Sequence, residues 1–291
     1  MSDKKQIAVR ISDGLGNQMF QYAFAYVLSK ETQHQILLDP FFWKRGLRQY
    51  QINKYSLSLN RRWISPIKEY ILGLGPVRIP HLRKKYREKL CVKKWKLVED
   101  NAVRSIEDIE AIECDYIYAR GYWQRAALFD AYYEKLCKEF SPQFSLGEKA
   151  EVYRQQMRRE NSVSLHIRRT DYVRGVNSVC LDWDFYKLAL QRLKEGIGDF
   201  TLYLFTDDKE YAREKFRLHD FVLVEDCADY EEMELMHACK HHIVANSSFS
   251  FWGAYLGENR GGIVIAPIVG DWKRDYYPDC WQCIEASFRE E

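Results

Sequence analysis

SLHIRRTDYV, residues 164–173, decides how this chain folds. Val163, Leu165 and Ile167 alternate with Ser164, His166 and Arg168, a period of two that predicts a strand with His166 and Arg168 on one face. Arg169, Asp171 and Tyr172 follow where the strand gives way to a loop. Guanidinium groups donate in a fixed fork that suits phosphate oxygens, so two arginines at a strand's carboxyl end form a candidate anion site. The carboxyl ends of parallel strands are also where open α/β sheets bind ligands. The competing reading is a surface strand end whose arginines pair with nearby carboxylates.

Outward from this stretch, strands and helices alternate. A helix near 183–195, capped by Asp182, precedes the strand TLYLF (201–205), and a short helix near 208–217 leads to FVLV (221–224). Asp229 caps a third helix, with Glu232 in capping-box position. The strand HIVAN (242–246) feeds a helix over 249–256, and GIVIAP (262–267) closes the series. Such alternation predicts a doubly wound parallel sheet. Two more strand ends then join the arginines on one edge: Thr206, Asp207 and Asp208 after TLYLF, and Asn246, Ser247, Ser248, Phe249 and Ser250 after HIVA. Small hydroxyls and N–H groups at a helix start can cradle phosphate, and paired Asp can accept from a purine edge or a ribose or ligate a metal. Together the three ends point to a nucleotide diphosphate site.

The first half starts with a strand (6–11), the turn Ser12-Asp13-Gly14-Leu15-Gly16, and a helix with Met19, Phe20, Ala23, Tyr26 and Val27 on one side. Gly14, Gly16 and Asp39, the last about 20 residues further on, partly match a dinucleotide fingerprint, but Met19 stands where its third glycine belongs. A tight strand-to-helix turn explains the same residues. Strand YIYAR (116–120) ends in Gly121-Tyr122-Trp123-Gln124 and a helix running to about Phe140. Punctuation at Ser141-Pro142 and Gly147 puts a boundary between about 141 and 161, giving domains 1–150 and 151–291. The irregular region 40–100, with Phe41-Phe42-Trp43, is where acceptor specificity is expected.

At 291 residues and 46% hydrophobic, the chain has room for two domains of ordinary size. A net charge of +2 argues against nucleic acid as a partner of the whole molecule. No apolar run approaches the ~20 residues that cross a bilayer. The N-terminus has no signal-peptide core, and the eight Cys read as reduced thiols, which makes the cytoplasm the expected compartment. Between Arg78 and Lys96, nine Lys or Arg face one acid, Glu88. That segment is either the solvated face of a helix or a contact with nucleic acid or anionic lipid, the last as a peripheral contact with the inner face of the plasma membrane. Cys280-Trp-Gln-Cys283, without a second pair, reads as incidental, and His237, Cys239, His241 and His242 read as packing rather than a zinc site.

Five blocks together, DGLGNQMFQYAFA (13–25), GYWQ (121–124), HIRRTDY (166–172), FTDD (205–208) and CKHHIVANSSFSFWGAYL (239–256), span nearly the whole chain. In that order they resemble the bacterial α-1,2-fucosyltransferases that use GDP-fucose, especially those that build surface polysaccharides. The resemblance implies two facing Rossmann-like domains of glycosyltransferase B type, the second holding the donor. It also implies inversion at the anomeric carbon, no required metal or cofactor, and a galactose-containing glycan, lipid-linked or free, as acceptor. Related α-1,6- and protein O-fucosyltransferases share the HxRR, TDD and Ser-Phe-Ser elements. By that likeness Arg168 would hold the pyrophosphate and His166 would lie by guanine and ribose. Asp207 or Asp208 would read the guanine, Ser250 would contact the β-phosphate, and Asn17 would sit at the fucose and the acceptor hydroxyl. Two departures stand out: Asp13 replaces the first of two glycines usual in the family, and Phe251 replaces a tryptophan.

Such a transferase must stabilise negative charge on the departing diphosphate, the role expected of Arg168, the Ser250 helix start and the Gly16 turn. The acceptor hydroxyl must also lose a proton, and a carboxylate is the usual taker. Asp171 and Asp13 are the candidates, unless Asn17 alone orients the hydroxyl. Two other classes compete: a dinucleotide-dependent oxidoreductase, from Gly14, Gly16 and Asp39, and a membrane-attached nucleotide-binding module without catalysis.

Overall fold

The computed structural model describes residues 4–40, 49–59, 95–173, 179–217 and 220–288, with the side chains of Trp95, Thr170 and Asp171 outside the description. Two compact units divide between Pro142 and Gln143. A division at 150/151 would cut the helix Glu148–Arg159, which packs within the second unit.

The first unit runs β1 (Gln6–Arg10), α1 (Leu15–Glu31), β2 (Gln35–Asp39), β3 (Trp95–Glu99), α2 (Ile106–Glu110), β4 (Tyr116–Arg120) and α3 (Tyr133–Glu139). Its described strands pair in parallel in the order β2-β1-β4-β3. Ahead of α3 the chain makes two 3-10 turns, Ala126–Leu128 and Asp130–Tyr132, where the sequence suggested one continuous helix. Helix α1 is buried almost all round from Leu15 to Leu28, rather than along one apolar stripe. The polar residues on its covered faces are fully engaged. Gln18 donates to the carbonyls of Asp13 (2.8 Å) and Gln49 (3.0 Å) and accepts from the N–H groups of Gln51 and Ile52. Tyr22 donates its hydroxyl to Glu139, which also accepts from Ser58 N–H at 2.7 Å.

The second unit runs α4 (Glu148–Arg159), β5 (Ser162–Ile167), α5 (Thr170–Val173), α6 (Trp183–Ile197), β6 (Thr201–Thr206), α7 (Lys209–Lys215), β7 (Val222–Leu223), α8 (Asp229–Ala238), β8 (His241–Ile243), α9 (Ser248–Tyr255), β9 (Val264–Ile268) and β10 (Gln282–Glu285). Its strands are all parallel, in the order β7-β6-β5-β8-β9-β10. That is the 3-2-1-4-5-6 order of doubly wound dinucleotide folds, with the reversal between β5 and β8. Every residue of β5 is buried, as a parallel strand covered on both faces must be. Its period of two survives. Val163, Leu165 and Ile167 join Phe185, Ala189 and Leu193 of α6 in one core. Ser164 and His166 turn to the other face, where the Ser164 hydroxyl meets His242 Nδ1 at 2.8 Å. Tyr203, Phe205, Leu235 and Met236 fill a second core.

Candidate active site

The register of β5 on β6 builds the centre of the site. Ile167 pairs with Thr206, so the next residues, Arg168 and Arg169, emerge beside Asp207 and Asp208. Arg168 Nη1 lies 2.9 Å from Asp207 Oδ2, and Asp207 Oδ1 accepts from Arg169 N–H at 2.9 Å. Arg169 Nε donates to Asp208 Oδ2 at 3.0 Å, and its guanidinium stacks 3.7 Å from the Tyr211 ring centroid. Asp208 Oδ1 caps α7 by accepting from Tyr211 N–H at 3.1 Å. Thr206 Oγ1 accepts from Asp208 N–H at 3.0 Å and holds the turn. The two aspartates are thus positioning groups for the two arginines, a role that HIRR and TDD do not reveal when read separately.

Strand β8 supplies the other side of the reversal. Phe251 N–H is bonded to Ser247 O at 3.0 Å, and no side chain caps α9. The N–H groups of Ser248, Phe249 and Ser250 therefore stand at a helix start, which favours an anion. The Ser250 hydroxyl is only 1% exposed. It accepts from Ala245 N–H and donates to Ser247 O, each at 3.2 Å, so it braces the turn. Asn246 Nδ2 donates to Val179 O, and Tyr172 Oη donates to Asn246 O at 3.1 Å, which ties the segment after β5 to the end of β8.

His166 lies between these ends, 6% exposed, its ring 5.7 Å from that of Phe249. Burial first, and Arg168 second, depress its pKa to about 4, so the imidazole is neutral at pH 7. Its buried Nδ1 has no hydrogen-bond partner among the described residues. Asp171 sits in the short helix α5, and its side chain lies outside the description.

Glu232 does not cap α8. The first residue of α8 is Asp229, the preceding N–H of Ala228 donates to Glu231, and that carboxylate also accepts from Gly147 N–H at 2.8 Å. The capping pair Asp229/Glu232 is therefore replaced by Glu231, and the acidic run is not simply solvated. Glu232 is partly buried, and its pKa rises to about 8, chiefly through burial and then through Asp229, with Asp207 adding and Lys209 opposing. Its raised pKa has no signature in the sequence, where Glu232 is one acid among many.

In the first unit, Asp13, Gly14, Gly16 and Asn17 form the turn between β1 and the start of α1. Gly14 is the N-cap residue, and no side chain caps the helix. Asp13 adopts φ 67°, the left-handed region where glycine is the natural occupant. Gln21 braces the turn by accepting from Ser12 N–H at 2.7 Å and donating to Gly121 O at 3.0 Å. Asn17 Oδ1 accepts from Gln124 Nε2 at 2.8 Å, which joins the GYWQ motif to the turn. Asp39 is 1% exposed and accepts from Tyr118 Oη at 2.9 Å, and Met19 is fully buried. Neither serves a dinucleotide fingerprint.

The remaining motifs are structural. His237 Nε2 contacts Trp252 O at 3.2 Å, and His242 is held by Ser164. Cys280 is exposed, and Cys283 lies in β10. No described helix is long and apolar enough to cross a membrane. The basic segment 78–96 lies outside the described residues except for its last two, and so does most of the 40–100 region expected to select the acceptor.

Two Rossmann-like α/β units, the second with ligand-type strand ends at the reversal of a 3-2-1-4-5-6 sheet, make up a glycosyltransferase fold of B type. A mutant of Arabidopsis thaliana FUT1 in complex with GDP shares this fold at a TM-score of 0.51 and 10% identity, over 94% of this chain and 75% of that one. The chain matches the model of glycosyl transferase family 11 over residues 1–282 and belongs to that family. It is 32% identical over 275 residues to an alpha-1,2-colitosyltransferase of Escherichia coli, covering 90% of this chain and 91% of the relative. With the O-antigen biosynthesis glycosyltransferase WbnK of Escherichia coli it shares 27% identity over 295 residues, 93% of this chain and 98% of that protein. The chain is a glycosyltransferase of this family, which replaces the oxidoreductase reading.

Proposed function

We propose that this enzyme transfers L-fucose from GDP-β-L-fucose, with inversion, to the 2-hydroxyl of a galactoside during synthesis of a surface polysaccharide. The observation that carries this reading is the arginine pair held by Asp207 and Asp208 beside the uncapped start of α9, at the reversal of the donor-type sheet. As the bond to GDP breaks, negative charge grows on the β-phosphate. A permanent guanidinium and a preorganised helix start oppose that charge at no cost of reorganisation. Arg168 takes the diphosphate, and the neutral His166 takes the nucleoside through hydrogen bonding rather than charge. Arg168 and the start of α9 supply the donors that face the diphosphate, and transfer is expected to proceed without a divalent cation. The acceptor proton passes to a carboxylate, Asp171 or Asp13, or leaves without one while Asn17 orients the hydroxyl. The protein works at the cytoplasmic face of the membrane on a lipid-linked or free glycan.

Likeness to a colitosyltransferase favours a second donor, nucleotide-activated colitose, which is fucose without its 3-hydroxyl. The test is mass spectrometry and NMR of products from GDP-fucose and from GDP-colitose with a panel of galactosides, in EDTA. The expected product is a galactoside carrying one α-1,2-linked fucose. Colitosylated product alone would move the donor to the second reading, and no product with either donor would remove both.

A further inference from the structure

The carboxyl ends of β1, β3 and β4 enclose a cleft of about 300 Å³ in the first unit. This volume is at the lower end of the roughly 300–1,000 Å³ typical of ligand sites, enough for one sugar ring rather than an oligosaccharide. Two cations, Arg10 and Arg120, and carboxylates including Asp13 and Glu99 line it, with Tyr122 at one side. Arg120 is paired with Glu99. An anion would meet the carboxylates, and among the described residues no group of three or more His, Cys, Asp or Glu could hold a metal ion. A neutral ring of hydroxyls suits such a lining, because each hydroxyl can donate to a carboxylate and accept from a guanidinium.

The GYWQ loop is shaped to serve this cleft. A Cβ at Gly121 would lie 2.4 Å from Asp100 Cγ, so glycine alone lets Asp100 reach the loop and accept from Tyr122 N–H at 2.8 Å. Trp123 then turns inward, stacked on Phe24 at 3.9 Å and 1% exposed. Tyr122 turns outward, 41% exposed, and burial first, then the nearby Asp13 carboxylate, raises its phenol pKa. A half-exposed aromatic ring beside a carboxylate offers a sugar both a face and an acceptor.

We propose that this cleft is the subsite for one neutral sugar unit of the acceptor, with Asp13 accepting from a ring hydroxyl and Tyr122 covering the ring. The inference rests on the transferase reading above for the identity of the sugar, and galactose is the probe. It accounts for an aspartate at φ 67°: glycine would relieve the backbone but would remove the group that meets the sugar.

Asp13→Gly and Tyr122→Ala test it, with thermal unfolding and circular dichroism reporting that each variant is folded. Saturation-transfer NMR should show methyl β-galactoside binding to the wild type and lost in both variants, and kcat/KM for the galactoside should fall at least tenfold. If both variants keep galactoside binding and kcat/KM within twofold of the wild type, or if the wild type binds no galactoside with or without GDP, the subsite is elsewhere. If the wild type binds galactoside and both variants lose it, but no sugar is transferred from GDP-fucose, the subsite stands and the donor assignment falls.

Discussion

Each unit ends a parallel strand in a turn and an uncapped helix start, β1 into α1 and β8 into α9, yet the two make that arrangement by different means. In the second unit strand register does the work. Once Ile167 pairs with Thr206, the two arginines and two aspartates are neighbours by necessity. In the first unit the turn is held by side-chain amides, Gln18 and Gln21, and by a non-glycine residue in left-handed backbone. Register is a property of the whole sheet and tolerates few errors. Bracing by two glutamines is local and can be altered without disturbing the sheet. The arginine end therefore suits a ligand that does not vary, and the braced turn suits one that does.

The comparison is broken most severely by Asp207→Asn. Asparagine keeps one acceptor oxygen, so either Arg168 or the Arg169 N–H then faces an amide donor and the charge pairing is gone. Misplacement of a positioning group by about 1 Å can cost on the order of 100-fold in rate. We expect kcat for sugar transfer to fall by about that factor. Loss of the partly buried pair should also lower stability by about 1–3 kcal/mol in denaturant unfolding. Full activity in this variant would mean that register does not set the arginines.

A smaller effect comes from Glu232. In the fold its carboxyl keeps a proton up to about pH 8, whereas the unfolded chain gives it up near 4.5. The contribution to stability is complete below pH 4.5 and is lost as pH rises through 8. Glu232→Gln carries no such proton. Its melting temperature should therefore gain on that of the wild type between pH 5 and pH 8.5, and parallel profiles would show that Glu232 titrates normally.

What the sequence revealed follows the same division. Most strands and helices after Ser162 are legible because each pairs a clear apolar period with short polar connections. The three strand ends could be placed on one edge before any coordinates. Their mutual pairing could not, because TDD offers itself equally to a nucleotide, a metal or an arginine until register is known. Helix α4 escaped notice because its 12 residues bury only Ala150 and Met157, too few to mark a face among so many charges. Strands β3 and β10, five and four residues long, lack the alternation that marks longer strands. In α1 the glutamines look like the polar face of an amphipathic helix. Gln18 is buried because segment 49–52 covers it and satisfies its amide, and Gln21 because its amide bonds to Ser12 and Gly121.

The central claim is that register-set arginines hold a nucleoside diphosphate, and calorimetric titration of GDP in EDTA tests it most directly. The wild type should bind GDP in the micromolar range, about −8 kcal/mol, and GMP much more weakly, and Arg168→Ala should weaken GDP at least tenfold while leaving GMP little changed. Equal affinity for GDP and GMP, or an Arg168→Ala variant that binds GDP as the wild type does, would contradict it.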